Sequence, residues 1–529
     1  MSETAAALPA AQAYTPPAVN PWIIALVVTL ATFMEVLDTS IANVSLPHIA
    51  GSLSAGVDES TWILTSYLVS NAIVLPMSGW FSSLIGRKRF YMLCVAIFTG
   101  SSFLCGLAPN LGTLIFFRVL QGAGGGGLQP SEQSILADTF PPAKRGMAFA
   151  VYGMAVVVAP AIGPTLGGWI TDSYSWRWIF YVNVPVGIIS LLLTSRLISD
   201  PPHLSGERRK GLKIDYIGLG LLAIGLGALQ VVLDKGQRDD WFESHFILIL
   251  STIAAIALVV VVFWEWRQEH PIIELKLFRD RSFATANALM FMLGFVLWGT
   301  TLLIPLFAQT MMGYPAEQAG LALMPGGLAI IACLPLVGYL LAKRDPRHLM
   351  IFGLFILYVA FLYMINFDLD IDFRALAFAR LVQGAGLAFL FVPINTVAYS
   401  YLPPEKNNAA SGLINLARNV GASMGISFVT TMLSRRAQFH QNRLAAHLSA
   451  TNPQVQAMLH GTTGALRSHS GSAAALHQAY ALLEAGMERQ AMMLSYIDNF
   501  KLLSIATLFL IPAVLLVKRP KKGGRVYAH

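Results

Sequence analysis

From Trp22 almost to the C-terminus, the sequence is built of apolar stretches of about twenty residues separated by short polar connectors. A stretch of that length matches the hydrocarbon thickness of a bilayer. Inside lipid every backbone N–H and C=O must find its partner within the protein, so apolar stretches of this length cross as helices. Fourteen spans are predicted, over residues 22–46, 60–83, 90–108, 111–137, 146–170, 178–199, 214–233, 245–265, 284–310, 316–342, 348–366, 374–399, 409–433 and 497–518. The composition agrees with lipid as the solvent, 55% of the residues being apolar and 12% charged.

A net charge of +8 invites a nucleic-acid reading, but the basic residues lie in the connectors, where the positive-inside rule places them. Arg87-Lys88-Arg89, Lys144-Arg145, Arg208-Arg209-Lys210, Arg279 with Arg281, Lys343-Arg344 and Lys518-Arg519 with Lys521-Lys522 all fall on one side of a fourteen-span chain. That side reads as the cytoplasm, with both termini in it. Gln237-Arg238-Asp239-Asp240, the acidic run Asp368, Asp370 and Asp372, and the long segment from Ser434 fall on the other side. Residues 1–21 are Ala/Pro-rich without the basic start of a signal peptide, so a disordered cytoplasmic tail and a retained first span are expected.

A self-match organises the chain. Arg118-Val-Leu-Gln121-Gly-Ala-Gly124 recurs as Arg380-Leu-Val-Gln383-Gly-Ala-Gly386, an offset of 262 residues that also relates Pro141-Pro142 to Pro403-Pro404, Lys144 to Lys406 and Gly163 to Gly425. The repeated segment is the fourth helix of each of two six-span blocks, with two spans left between them. The expected organisation is therefore a tail (1–21), an N-terminal six-helix bundle (22–199), and a cytoplasmic linker with two inserted helices (200–270). A C-terminal six-helix bundle (271–518) follows, including a long periplasmic loop at 434–496, and then a cytoplasmic tail (519–529). Parallel halves of this kind place a substrate site between them near the membrane midplane, with alternating access by rocking.

Charged residues inside spans are costly, about 2.5–3.5 kcal/mol each on insertion scales, and so are functional candidates. Glu35 and Asp38 interrupt the first span at i, i+3 spacing and face the bundle together, where a carboxyl can bind and release a proton. Arg118 is the natural counter-charge: at 1.5 Å per residue it lies roughly 10 Å below the outer end of its span, and Asp38 roughly 12 Å below the end of its own. A static ion pair and a proton-exchange site both fit these letters. Glu132, deeper in the fourth span beside Pro130, is either a second relay or a solvated vestibule residue; Asp138 reads as a helix-end charge. In the fifth span Gly153, Pro160, Gly163, Pro164, Gly167 and Gly168 form a run of breakers that should bend the helix and admit a close neighbour.

Other chemistries find little support. Gly122 to Gly127 satisfy G-x-G-x-x-G, yet no strand precedes them and apolar residues surround them. No G-x-x-x-x-G-K-[ST] occurs, so the energy is expected to come from an ion gradient or from a partner, with no cofactor. Cys94, Cys105 and Cys333 all sit within spans, which disfavours a disulfide framework or a cysteine metal site. His440, His447, His460, His469 and His477 lack metal-ligand spacing and read as solvated residues of the outer segment, in which Ala473 to Arg489 suits an amphipathic helix. Nothing stands out as a nucleophile with its base, so no enzyme is expected.

Leu37-Asp38-Thr39-Ser40-Ile41-Ala42-Asn43-Val44-Ser45-Leu46-Pro47 resembles the first-span signature of the fourteen-helix drug:proton antiporters of the major facilitator superfamily, and within them the EmrB subgroup. Arg118 to Gly124 resemble the fourth-span motif and Gly163 to Gly168 the antiporter motif. Trp176-Arg-Trp-Ile-Phe-Tyr-Val-Asn-Val-Pro-Val-Gly187 extends the likeness along the chain. The resemblance implies an all-α major facilitator fold and proton-driven expulsion of hydrophobic toxic compounds, with Asp38 and Arg118 in proton coupling. It also implies a bacterial inner membrane, a periplasmic membrane-fusion adaptor and an outer-membrane channel. In the cytoplasmic hinge motif, Gly79 to Lys88 with Gly86 and Arg87, Ser83 stands where the superfamily usually has an aspartate.

A symporter importing a small solute, or a non-transporting membrane sensor, are the alternatives. The spans offer Phe, Met, Leu and Trp rather than the polar lining a sugar importer needs, and no cytoplasmic connector is long enough for an output domain. Lipophilic small molecules and membrane lipids are the expected partners, and nucleic acid is not.

Overall fold

The computed structural model describes residues 19–200, 215–269, 271–400, 402–446, 448, 452–467 and 471–518. Most of both predicted tails, the linker with Arg208, Arg209 and Lys210, the basic residues Arg519, Lys521 and Lys522, His447, His469 and the side chain of Pro164 lie outside the described residues.

Among the described residues the chain is helical and has no strand. The N-terminal block contains α1 (Pro21–Ser52), α2 (Trp62–Ile85), α3 (Arg87–Leu107), α4 (Leu111–Gly125), α5 (Leu128–Thr139), α6 (Pro142–Ser173) and α7 (Asn183–Leu197). Then come α8 (Tyr216–Lys235) and α9 (His245–Arg267). The C-terminal block contains α10 (Arg281–Thr310), α11 (Met324–Leu341), α12 (Pro346–Ile365), α13 (Phe373–Tyr399), α14 (Asn407–Ala445), α15 (Pro453–Leu466) and α16 (Ser472–Val514).

Short connectors end in side-chain caps that satisfy the first free N–H groups of the next helix. Asn20 accepts from Trp22, Asn110 from Thr113, Asp215 from Gly218, Asp280 from Ser282 and Phe283, Asp345 from Arg347, and Asp372 from Ala375. Part of the acidic run at 368–372 is thus a helix cap.

Among the described residues eleven helices are long and apolar enough to cross a membrane, or twelve if α6, bent by 45° between Pro160 and Thr165, counts as one span. The two remaining predicted spans, 111–137 and 409–433, do fold as helices (α4–α5 and α14) but fall short on apolarity. Their buried faces carry Arg118, Gln121, Glu132 and Gln133, and Asn407, Asn408, Asn415 and Arg418. The helices that weaken the hydropathy signal are those that furnish the polar interior.

The 262-residue offset carries α1, α2, α3, α4–α5 and α6 onto α10, α11, α12, α13 and α14. The packing repeats with it: α1 on α6, α2 on α4 and α3 on α4 correspond to α10 on α14, α11 on α13 and α12 on α13. The sixth helices, α7 and α16, pack equivalently on α1 and α3 and on α10 and α12, but α16 lies out of register because residues are inserted before it.

The described residues of the long segment expected at 434–496 are largely helical, and the helix expected over Ala473 to Arg489 is present within a longer one. α14 runs on to Ala445, α15 follows, and α16 is one continuous helix of 43 residues whose first part packs with α15. Arg436 and His440 meet Asp498 at 2.5 and 2.8 Å, so His440 is a paired residue and not the solvated one expected from its spacing.

α2 meets α14, and α6 meets α11, across the two halves. These contacts are tightest at the end bearing the basic connectors: a Cβ added at Gly79 would lie 2.8 Å from the Ala409 Cα, and one at Gly338 3.1 Å from the Met147 Cα. Further along the seam, a cleft lies between α6, α10, α11 and α13. The inserted α8 lies against both α2 and α14, joined by Thr65 to Asp234 and by Ser423 to Gln230. α9 packs on α8 and turns Ile249, Ile256 and Phe263 outward, the surface expected of a helix facing lipid.

Candidate functional site

Asp38 and Arg118 form a buried ion pair at 2.6 Å, with Arg118 0% exposed. The depth match read from the sequence is met by direct contact. Asp38 Oδ1 also accepts from Gln121 Nε2 at 2.9 Å and Asn183 Nδ2 at 2.7 Å. Arg118 donates further to the Ile63 carbonyl and to Gln121 Oε1, and its guanidinium lies 4.2 Å from the Tyr67 ring centroid. One carboxylate thus binds α1 to α4 and α7. Asn183 and Gln121 were not singled out in the sequence; Gln121 sits one turn after Arg118 in the repeated motif and Asn183 lies within the motif starting at Trp176.

Glu35, one turn away, belongs to a second cluster. It accepts from Asn71 at 3.1 Å and from Gln129 at 2.7 Å. Gln129 Oε1 in turn accepts from Tyr152 and from Arg418 of the opposite half. Glu35, Gln129 and Arg418 therefore make a polar chain across the interface. Arg418 has no acidic neighbour in its own sequence segment, which is why it escaped notice.

Glu132 is fully buried and accepts from Thr32 of α1, so the solvated-vestibule reading is corrected. Asp138 is more than a helix-end charge: it pairs with Arg87 at 2.5 Å and accepts from Asn407 of the other half at 2.7 Å. Arg87 also donates to the Ser134 carbonyl. Ser83 donates to the Trp80 carbonyl of its own helix, so the acid that holds the hinge arginine comes from α5. Gly86 has φ +91°, a backbone region where a side chain is strained, and leads into α3, whose Lys88 N–H donates to Asp200. Next to this, Ser134 meets Ser411, and Asn415 and Tyr399 both donate to Gln133.

In α6 the small residues act as contact points. A Cβ on Gly163 would lie 2.4 Å from Ser40 Oγ, and one on Gly167 2.9 Å from Ile41 Cγ2, so this helix presses on α1 beside Asp38. Gly153 faces Phe391 and Leu334 of the other half, Pro160 lines the cleft, and Gly168 faces open space. The run Gly122 to Gly127 is likewise a packing surface: added Cβ atoms would meet the Tyr67 carbonyl at Gly122, the Asn71 carbonyl at Gly126 and Cys94 Sγ at Gly127.

The C-terminal half holds a copy of the arginine site with one change. Arg380 donates to Gln383 at 2.7 Å, as Arg118 does to Gln121, but Thr300 stands at the offset from Asp38 and accepts at 3.2 Å.

A profile of the Major Facilitator Superfamily matches residues 28–426. The chain belongs to the major facilitator superfamily. Among relatives, the "Multidrug export protein EmrB" of Escherichia coli (strain K12) is 40% identical over 439 residues, covering 82% of this chain and 85% of the relative. The "Fatty acid resistance protein FarB" of Neisseria gonorrhoeae is 38% identical over 498 residues, covering 94% and 96%. Two solved structures share the fold: the human organic anion transporter MFSD10, with TM-score 0.57 and 14% identity over 94% of this chain and 100% of that one, and the proton:xylose symporter XylE, with TM-score 0.55 and 16% identity over 80% and 90%. This superfamily member is a multi-pass membrane transporter of the EmrB type and not an enzyme.

Proposed function

We propose that this chain is a proton-coupled antiporter that exports hydrophobic or amphipathic toxic compounds by alternating access. Its energy comes from the proton gradient with no cofactor. It sits in a bacterial inner membrane with both termini cytoplasmic, and it works with a periplasmic membrane-fusion adaptor and an outer-membrane channel. The names of its EmrB and FarB relatives support export of toxic lipophiles, and the basic connectors clustered at one end support the orientation.

The observation that carries the coupling is the Asp38 site. A buried carboxylate held by an arginine and two amides is stable only while charged and fully bonded. Protonation removes the charge that holds Arg118 and frees α1 from α4 and α7. α1 is also pressed by α6 at Gly163 and Gly167, so the loosening reaches the half-to-half contacts that α6 makes with α11. Glu35, through Gln129, offers a second link to Arg418 of the other half.

The test is reconstitution of wild type and Asp38→Asn in proteoliposomes under an imposed pH gradient, following lipophilic dyes and internal pH together. Gradient-driven dye movement with reciprocal proton flux, both lost in the variant, is expected. Dye movement without protons in wild type, or full coupling in a folded Asp38→Asn protein, would leave Asp38 a structural residue.

A further inference from the structure

Arg380 is 6% exposed, and among the described residues it forms no ion pair. Its bonds go to neutral acceptors: Nη1 to Thr300 and Gln383, and Nη2 to Thr301 at 3.1 Å. Its Nε has no partner. Arg380 lines the cleft between the halves, whose other walls include Val156, Pro160, Trp298, Ile330 and Leu387. Room for it is made by Gly326, where a Cβ would lie 2.9 Å from Arg380 Cγ and 3.0 Å from its Nε.

The repeat shows what differs between the two arginines. In the N-terminal half the arginine's charge is met by Asp38; at the equivalent place beside Arg380 stands Thr300, which supplies a hydroxyl and no charge. A buried guanidinium without an acid is unfavourable unless something anionic visits it. Its planar fork suits a carboxylate or sulfonate, and apart from Thr301 the remaining walls of the cleft are apolar side chains and glycines.

We propose that this cleft is a binding site for amphipathic anions, with Arg380 taking the acidic head and the side chains around Trp298 and Pro160 taking the apolar body. The proposal deepens the export reading above and rests on it for transport, but not for binding. Pro160 belongs to the bent stretch of α6, so an occupant of the cleft touches the helix that presses on Asp38's own helix.

Two probes that share one skeleton test this: 1-anilinonaphthalene-8-sulfonate and its uncharged twin N-phenyl-1-naphthylamine, titrated into the full-length protein in nanodiscs with empty nanodiscs as the blank. Wild type should bind the sulfonate more tightly than the twin. Arg380→Gln should weaken the sulfonate by about tenfold or more while moving the twin by no more than about twofold. Thr300→Asp, which leaves Arg380 in place but gives it the acid found in the other half, should weaken the sulfonate in the same selective way. Equal affinity of wild type for both probes, or equal losses of both in the two variants, would overturn the proposal. So would unchanged sulfonate binding in both variants. If wild type shows the selective binding but moves neither probe across a proteoliposome membrane under a pH gradient, the export reading fails and the anion site stands.

Discussion

Asp38 and Arg118 are each fully buried, and each is held in place by the other's charge. Removing one partner of such a pair strands the other, at a cost of about 3–5 kcal/mol, whereas removing both charges leaves nothing to compensate. Arg118→Ala should therefore lower the melting temperature of the purified protein sharply, and Asp38→Asn combined with Arg118→Gln should recover much of the loss. A double variant no more stable than Arg118→Ala would show that the amides of Gln121 and Asn183, not the ion pair, hold α1 in place. Either stability result is separate from coupling, which both the single and the double variant should lack in the proteoliposome assay.

Helices in this protein approach each other where glycine removes a side chain, since lipid provides no hydrophobic drive for helix association and close van der Waals contact takes its place. Gly122 lets α4 settle on the Tyr67 carbonyl of α2, an added Cβ lying only 2.3 Å from that oxygen. Backbone cannot move aside as a flexible side chain can, so Gly122→Ala should destabilise by about 1–3 kcal/mol in a detergent melt. Gly168 makes the contrast: nothing lies within 4 Å of its added Cβ, so Gly168→Ala should stay within about 0.5 kcal/mol of wild type. A large loss at Gly168 would mean that this part of the motif packs against a neighbour in another conformation. Pro160 and the bend after it serve a different purpose, carrying α6 from Asp38's helix to the cleft wall.

At the basic end of the molecule the two halves meet closely, and the cleft between α6, α10, α11 and α13 lies further along the seam. The closure consists of backbone contact at Gly79 and Gly338 and of polar bonds from Asp138, Gln133 and Ser134 to Asn407, Asn415 and Ser411. Gly79→Val and Asp138→Asn should both shift the population toward opening at this end. Spin labels at the exposed positions Lys144 and Lys343, in a background without Cys94, Cys105 and Cys333, read this directly: distance distributions should gain a longer component in either variant. Unchanged distributions in both would place the closing interactions elsewhere along the seam.

Much of this architecture was legible in the letters, because the bilayer permits few solutions. Apolar stretches of a set length forced helices, and the recurrence of Arg118 to Gly124 at Arg380 to Gly386 forced two equivalent blocks. A carboxylate in the first span at the depth of an arginine in the fourth pointed to a pair that does form. The sequence could not tell that Glu35 and Asp38, on one helix face, enter different networks, since that depends on which amide each meets from α2, α4, α5 and α7. Asp138, Arg418 and His440 were likewise undecidable, their partners lying in segments far away along the chain. Hydropathy even obscured α4–α5 and α14, because the helices that line a transporter's interior must carry the polar groups that make a span look doubtful. That Arg380 faces a cleft with a threonine in place of an aspartate is a fact of packing: the repeat supplies the correspondence, and only the folded halves show the charge left unanswered.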